Sequence, residues 1–277
     1  MSGHSKWATT KHRKGAKDQA RAKQFAKLIR QVEVAAREGG GDPAANASLR
    51  TMFQKAREAS VPIDTIERAI KRGTGELEGV RYESVSYEGY ASGGVAVIVE
   101  TLTDNRNRTS AEIKNIFSKN GGDIATPGAV SWQFDRKGSI EVPGTLDEDQ
   151  LLEWVMEAGG ENLSSNGENF IVTTDPHEVG AVRDALEAFG VHAISADLVL
   201  VPQNVIAVTE AAESKKILRL MHAIDDHDDV QNVYANFDIP DDLLAAYEDL
   251  SRVVGRLVSN TCSYSASIPA SRDVALG

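Results

Sequence analysis

Before Lys17 the chain places His4, Lys6, Trp7, Lys11, His12, Arg13 and Lys14, and not one carboxylate. Cations interleaved with an indole and imidazoles are the groups that pair with phosphates and stack on unpaired bases. Lys17, Arg21, Lys23, Lys27 and Arg30 extend the series, with Asp18 the one acid among them. A second candidate is Thr103-Asp104-Asn105-Arg106-Asn107-Arg108, expected between a strand and a helix. An Asn or Asp there caps the helix, whose first amides favour an anion, and Arg106 and Arg108 are spaced to clamp a phosphate. A plain cap with two exposed arginines explains the same residues equally well. A third cluster, Asp225, Asp226, Asp228 and Asp229 around His227, matches no calcium loop, because no ordered Gly and distal Glu follow. It reads as a solvated acidic turn, and no metal or cofactor is assigned. The P-loop, the glycine-rich dinucleotide fingerprint, the nucleophile elbow and the HExxH zinc motif are all missing, so an enzyme is not expected.

The net charge of −11 at first argues against a polyanionic partner. Its distribution reverses the argument. Up to Gly75 there are sixteen Lys and Arg against seven Asp and Glu, whereas the remainder holds fourteen bases against thirty-four acids. A chain of this kind meets a polyanion at one end and is repelled by it elsewhere. The longest apolar runs, such as Val95 to Val99, fall far short of the ~20 residues of a membrane span, and the polar, basic opening is not a secretory signal. A single cysteine, Cys262, excludes an internal disulfide and fits a reducing cytoplasm.

The elements that position these residues follow from periodicity. Residues 1–17 hold too little apolar surface for a core and read as a basic flexible arm. Phe25, Leu28, Ile29, Val32, Ala35 and Ala36 recur at the 3,4 spacing of one buried face, predicting a helix from Asp18 to Arg37. Lys23, Lys27 and Arg30 fall opposite that face. Lys17 and Arg21 share its sector upstream of it, so the helix start is expected to project past its neighbours. Asp42-Pro43 is expected to open a second helix that ends near Ala59, and Pro62 and Asp64 a third, closed by Gly73. Two strands follow, Tyr82 to Tyr90 and Val95 to Leu102, joined at Ser92-Gly93-Gly94, then a helix from Asn107 to Asn120. From Ser139 to Val201 the order becomes βαββαβ, the ferredoxin-like unit. A strand from Val205 to Thr209, a helix from Glu213 to Ile224 and a strand from Val230 to Phe237 are expected to complete the sheet begun at Tyr82. The fold class is therefore α+β in three domains. A three-helix bundle occupies 18–77, an α+β domain 78–136 plus 203–250, and an inserted ferredoxin-like domain 137–202. A helix is expected from Asp241 to about Val258, and 251–277 form a loosely ordered tail.

Several motifs carry a family resemblance: Gly3-His4-Ser5-Lys6-Trp7, Lys11-His12-Arg13-Lys14, Ala35 to Gly40, Ile66 to Lys71, Tyr87-Glu88-Gly89-Tyr90, Thr103 to Arg108, Phe117 to Gly122 and Asp229 to Tyr234. In this order, over about Ser2 to Pro240, the chain resembles the YebC/PmpR family. Val61 to Asp64 and the segment after Pro202 match more loosely, and the tail from about Leu250 falls outside the pattern. The resemblance implies a helical bundle, an α+β domain and a ferredoxin-like domain inserted in the latter. It also implies a regulator of gene expression. The family carries the label of DNA-binding transcriptional regulators, while similar proteins, including the mitochondrial translational activator of cytochrome c oxidase, act at the ribosome. The family's start coincides with Met1, so no organelle presequence is expected.

Two readings of the partner result. The first is ribosomal or transfer RNA on the ribosome, held by the arm, the first helix and the Arg106 loop. The second is duplex DNA, which calls for a recognition helix carrying base-reading side chains. The link between helices two and three offers neither a convincing turn nor Asn, Gln and Arg in one register, so a translation factor is preferred. A pure protein-interaction module would leave the basic end unexplained.

Overall fold

In the computed structural model, residues 18–165, 168–240 and 243 are described. The first three helices, α1 (Asp18–Gly39), α2 (Ala47–Glu58) and α3 (Ile63–Thr74), bury Val32, Ala35 and Ala36 of α1 against Leu49, Ala56, Ile66 and Ala69. This is the 3,4-spaced face of the sequence. Small residues let α3 lie close on α1: a Cβ at Gly73 would stand 2.4 Å from the Glu33 carbonyl oxygen and 2.8 Å from the Ala36 Cβ. Gly73 is therefore a contact point inside α3 and not its terminator. The helix ends at Gly75, which adopts φ 85°.

α2 begins four residues later than Pro43. Asn46 is its cap: Oδ1 accepts from the Leu49 amide at 3.0 Å, while Nδ2 donates to the Ala35 and Gly40 carbonyls at 2.8 and 2.9 Å. One buried side chain thus starts α2 and finishes α1, which outweighs the preference of proline for a first turn. Glu33, buried on α1, accepts from Arg37 at 3.3 Å and from Arg72 of α3 at 2.9 Å.

The second domain is built on β1 (Glu83–Tyr90), β2 (Ala96–Thr103), β3 (Asp123–Ile124) and β9 (Val230–Ala235), in the order β3-β1-β2-β9. Gly93 and Gly94, both with positive φ, make the β1–β2 turn. Helices α4 (Arg106–Lys119) and α7 (Ala211–Asp225) cover one face, where Val97 and Val99 meet Phe117, Ile217, Leu220 and Met221. The late strand β9 does pair with β2 and completes the sheet begun near Tyr82. The strand expected at 205–209 does not. It shrinks to β8 (Ile206–Ala207), which pairs in parallel with β10 (Phe237–Asp238) in a separate ribbon. Asn236 causes the division, since its Oδ1 accepts from the Ala96 amide at 2.7 Å and ends the ladder before the chain turns away. The two-residue β3 is too short to alternate and leaves no pattern in the sequence.

Between β3 and β8 lies the inserted unit: β4 (Phe134–Pro143), α5 (Glu148–Glu157), β5 (Asn162–Ser165), β6 (Asn169–Thr174), α6 (Val179–Ala188) and β7 (Ser195–Pro202). Its antiparallel sheet runs β5-β6-β4-β7, the ferredoxin-like order, over a core of Ile140, Val142, Leu151, Val155, Val172 and Leu186. The three-domain α+β architecture with its insertion is the one expected. β4 is longer than the Ser139–Val142 of the periodicity, because it pairs with β7 from Phe134↔Pro202 to Glu141↔Ser195. The insertion therefore enters and leaves through one antiparallel pair. Glu88 of β1 secures the entry loop, accepting from the amides of Gly128, Val130 and Ser131 at 2.7, 2.7 and 2.9 Å. Burial pushes its carboxyl up, but those amides outweigh burial and hold it below the usual carboxylate range.

The arm, most of the helix expected at 241–258 and the tail lie outside the described residues. Among the described residues, no helix is long and apolar enough to cross a membrane. The Gly73 contact yields a prediction of sign. Alanine at an ordinary helical glycine gains up to ~1 kcal/mol. Gly73→Ala is expected instead to lose roughly 1–3 kcal/mol through overpacking, read as a lower thermal unfolding midpoint by circular dichroism.

Candidate nucleic-acid interface

Of the candidate residues, His4, Lys6, Trp7, Lys11, His12, Arg13, Lys14 and Lys17 lie outside the described residues, as does the side chain of Arg21, whose backbone belongs to α1. Lys23, Lys27 and Arg30 are described. Their spacings of four and three set them in one row along α1, and that row meets the acidic turn after α7. Lys23 Nζ donates to the Asp226 carbonyl at 2.9 Å and Lys27 Nζ to the Asp225 carbonyl at 3.1 Å. Arg30 Nη1 donates to the Asp228 carbonyl at 2.6 Å and to Asp229 Oδ1 at 3.1 Å. The basic face of α1 is thus occupied by an anionic segment of the chain itself.

That turn is not the solvated loop its composition implies. Asp226 does face water, but Asp229 is only 3 % exposed and is the junction of the site. Besides Arg30, it accepts from Arg108 Nη2 at 2.8 Å and from the Thr109 hydroxyl at 2.7 Å. The Thr103 hydroxyl lies 2.7 Å from that of Thr109 and accepts from the Asn105 amide at 2.9 Å. One polar chain therefore links the end of β2, the start of α4 and the Asp229 carboxylate. His227 adds another link: its Nδ1 accepts from the Asp229 amide at 3.2 Å, which leaves Nε2 to donate to Glu112 of α4 at 2.8 Å. Burial pushes the Asp229 carboxyl up, yet the Thr109 and Arg108 hydrogen bonds and the charges of Arg108 and Arg30 hold it below its ordinary value. The hydrogen bond to Asp229 in turn raises the Arg108 guanidinium.

The two arginines of the 103–108 loop are thereby separated in role. Asn105 caps α4, its Oδ1 accepting from the Arg108 amide at 3.1 Å. Arg108 is committed to Asp229 and Asp104. Arg106 is exposed and, among the described residues, makes no ion pair. Lys114, two turns further along the helix, is exposed on the same side, with Asn107 and Ser110 between them and no acid in that sector. Lys114 is missed by attention to the loop alone; its signal is the i, i+4, i+8 row Arg106, Ser110, Lys114.

The link between α2 and α3 differs from its expectation. It is a tight turn at 59–62, with Ser60 at φ 63°. The helix after it, however, exposes Asp64 and Glu67 in its first turns beside Arg68 and Lys71. Carboxylates at the leading end of a helix oppose entry into a groove walled by phosphates.

Comparison with known proteins places this arrangement. A model described as the TACO1/YebC protein N-terminal domain matches residues 5–76, and one described as the TACO1/YebC second and third domain matches residues 82–237. The chain belongs to the TACO1/YebC family. Relatives of this TACO1/YebC chain include a "Probable transcriptional regulatory protein" of Halothermothrix orenii, 51 % identical over 88 % of this chain and 98 % of that one. A protein of the same description from Acidithiobacillus ferrooxidans is 51 % identical over 91 % and 100 % of the two chains. Among solved structures, a conserved hypothetical protein from Aquifex aeolicus superposes with a TM-score of 0.77 at 45 % identity, covering 81 % of this chain and 93 % of its own.

Asp229→Asn is expected to loosen the bundle from the second domain of this TACO1/YebC member at a cost of roughly 3 kcal/mol, since it leaves Arg30 and Arg108 without their shared anion. Because the folded-state pKa of Asp229 is depressed, its contribution is fully present above its unfolded value near 3.9 and is lost as pH falls through the folded value. Urea unfolding of both proteins from neutral to acid pH should show a constant gap that closes only below about pH 4.

Proposed function

We propose that this chain is a non-enzymatic, nucleic-acid-binding regulator of gene expression that acts as a translation factor on the ribosome, through RNA contacts and without a cofactor. The observation that carries the reading is the fate of the basic residues. Lys23, Lys27, Arg30 and Arg108 are engaged by the chain's own carbonyls and carboxylates. Of the candidate cations among the described residues, Arg106 makes no ion pair and is joined on α4 by the exposed Lys114; this reading adds Lys6, Lys11, Arg13, Lys14 and Lys17 of the arm, with Arg21. His4, Trp7 and His12 add stacking groups to the arm. Such a narrow cationic strand suits a partner with a shape of its own, such as ribosomal or transfer RNA, in a cytoplasmic setting. Lys23, Lys27 and Arg30 reach RNA in this reading only where the acidic turn gives way.

The second reading is a transcriptional regulator on duplex DNA. The names of the relatives favour it, and the turn at 59–62 supplies half of a helix-turn-helix. The mixed charge at the start of α3 weighs against it.

Changing Lys11, Arg13 and Lys14 together to Glu is expected to abolish ribosome association while thermal unfolding stays nearly unchanged. In a filter assay with ribosomal RNA, the loss of three phosphate contacts should flatten the log–log salt slope by about 2. Binding unaltered across the salt series would sink the arm as the contact. In sucrose gradients, nuclease-sensitive comigration with ribosomal particles supports translation. Absence of comigration, together with footprints on promoter DNA, decides for the second reading.

A further inference from the structure

The inserted unit, residues 137–202, holds thirteen carboxylates and two bases, a net −11 that equals the charge of the entire chain. Both bases are neutralised within the unit, Lys137 by Glu161 at 2.7 Å and Arg183 by Asp184 at 2.7 Å. On α5 the core takes Leu151 and Val155, and two large apolar side chains stay outside: Leu152 is 43 % exposed and Met156 71 %. Four residues apart, they form one stripe. Glu148 lies on one side of it, and Asp149 and Glu153 on the other. An exposed apolar stripe walled by carboxylates complements a segment that is cationic and carries an apolar anchor.

Residues 1–17 are such a segment, with Lys6, Lys11, Arg13, Lys14 and Lys17, the indole of Trp7 and no acid. Their point of attachment stands near the insert. Asn46 ties the start of α2 to Ala35, and α2 runs back along α1, so Lys55 lies beside about residue 26 of α1. Lys55 forms an ion pair with Asp197 of β7. The arm therefore begins about 12 Å along α1 from the level of Lys55, with the ~8–10 Å between the axes of α1 and α2 to be added. From Trp7 to Lys17 eleven extended residues reach about 37 Å, against the roughly 30 Å across a unit of this size.

We propose that residues 1–17 dock on the Leu152–Met156 stripe of α5 when no nucleic acid is bound, with Trp7 as the apolar anchor and the arm's cations among Glu148, Asp149, Glu153 and Glu157. The insert then acts as an internal polyanion that occupies the arm and screens it from weak, non-specific partners. Displacement of the arm by RNA rests on the function proposed above; the docking itself does not.

The test uses the full chain with Cys262→Ser and a nitroxide on Ser2→Cys, in amide-resolved NMR. Peaks of residues 148–157 are expected to lose intensity, and to recover in high salt and in the Leu152→Ser, Met156→Ser variant. Intensity unchanged on α5, or a loss that survives the double variant, overturns the proposal. A sample mixing spin-labelled chain with isotope-labelled, unspun chain identifies docking between two copies, which also overturns it. Recovery on adding ribosomal RNA supports the competition. Loss that persists with RNA bound refutes the competition and leaves the docking standing. RNA that fails to bind counts against the proposed function alone.

Discussion

A single buried carboxylate sets the placement of the bundle. Asp229 brings a negative charge out of water, and such a charge is tolerated only with its full complement of donors. Those donors come from separate elements: a guanidinium from α1, and a guanidinium and a hydroxyl from α4. Arg108 and Thr109 fix the carboxylate within the second domain, and the Arg30 bond, with its narrow range of length and angle, then sets where the bundle meets it. The row Lys23, Lys27, Arg30 is then aligned with the carbonyls of the acidic turn as a consequence. The cation of Arg30 also sits 5.5 Å from the ring of Tyr82, just ahead of β1.

The insertion is attached by different means. Its outer strands β4 and β7 form the stem, Leu200 reaches the apolar patch of Ala96, Ile98, Val130 and Phe134, and Glu88 clasps the entry loop through three amides. Apolar contact and backbone hydrogen bonds join the insert to the second domain, whereas charge joins the bundle to it. Ionic strength therefore acts unequally on the two seams, more on the partly exposed Lys23 and Lys27 pairs than on the stem.

Much of this fold was legible in the residues. The α1 stripe, the β1–β2 hairpin and the βαββαβ order each carry a local period that survives packing. Asn46, Gly73, β3 and β8 were not legible, because what decides them is a partner distant in sequence: the Ala35 carbonyl, the Glu33 backbone, the edge of β1 and the ribbon with β10. The candidate site divides in the same way. Periodicity assigned Lys23, Lys27 and Arg30 to the polar face of a helix, but a period reports which side is polar and not what lies against it. The Arg30–Asp229 pair spans 199 positions and has no local signature. Composition likewise read the 225–229 cluster as open to water, since nothing near Asp229 announces that Arg108 and Thr109 will close over it. The Asp229 to Tyr234 motif marked the place through family resemblance without revealing its task.

The long reach of that pair has a consequence in time. A chain elongating at roughly 5–20 residues per second needs about 10–40 s to travel from Arg30 to Asp229. The three helices of the bundle are complete early in this interval, and β2 waits about two-thirds as long for β9, since Val97 pairs with Ala235. Until the last fifth of the protein is made, the cationic row of α1 lacks the carbonyls and carboxylates of the 225–229 turn. The half-made protein is therefore a different electrostatic object from the finished one, with its positive surface bare while it is still tethered to the machine that makes it.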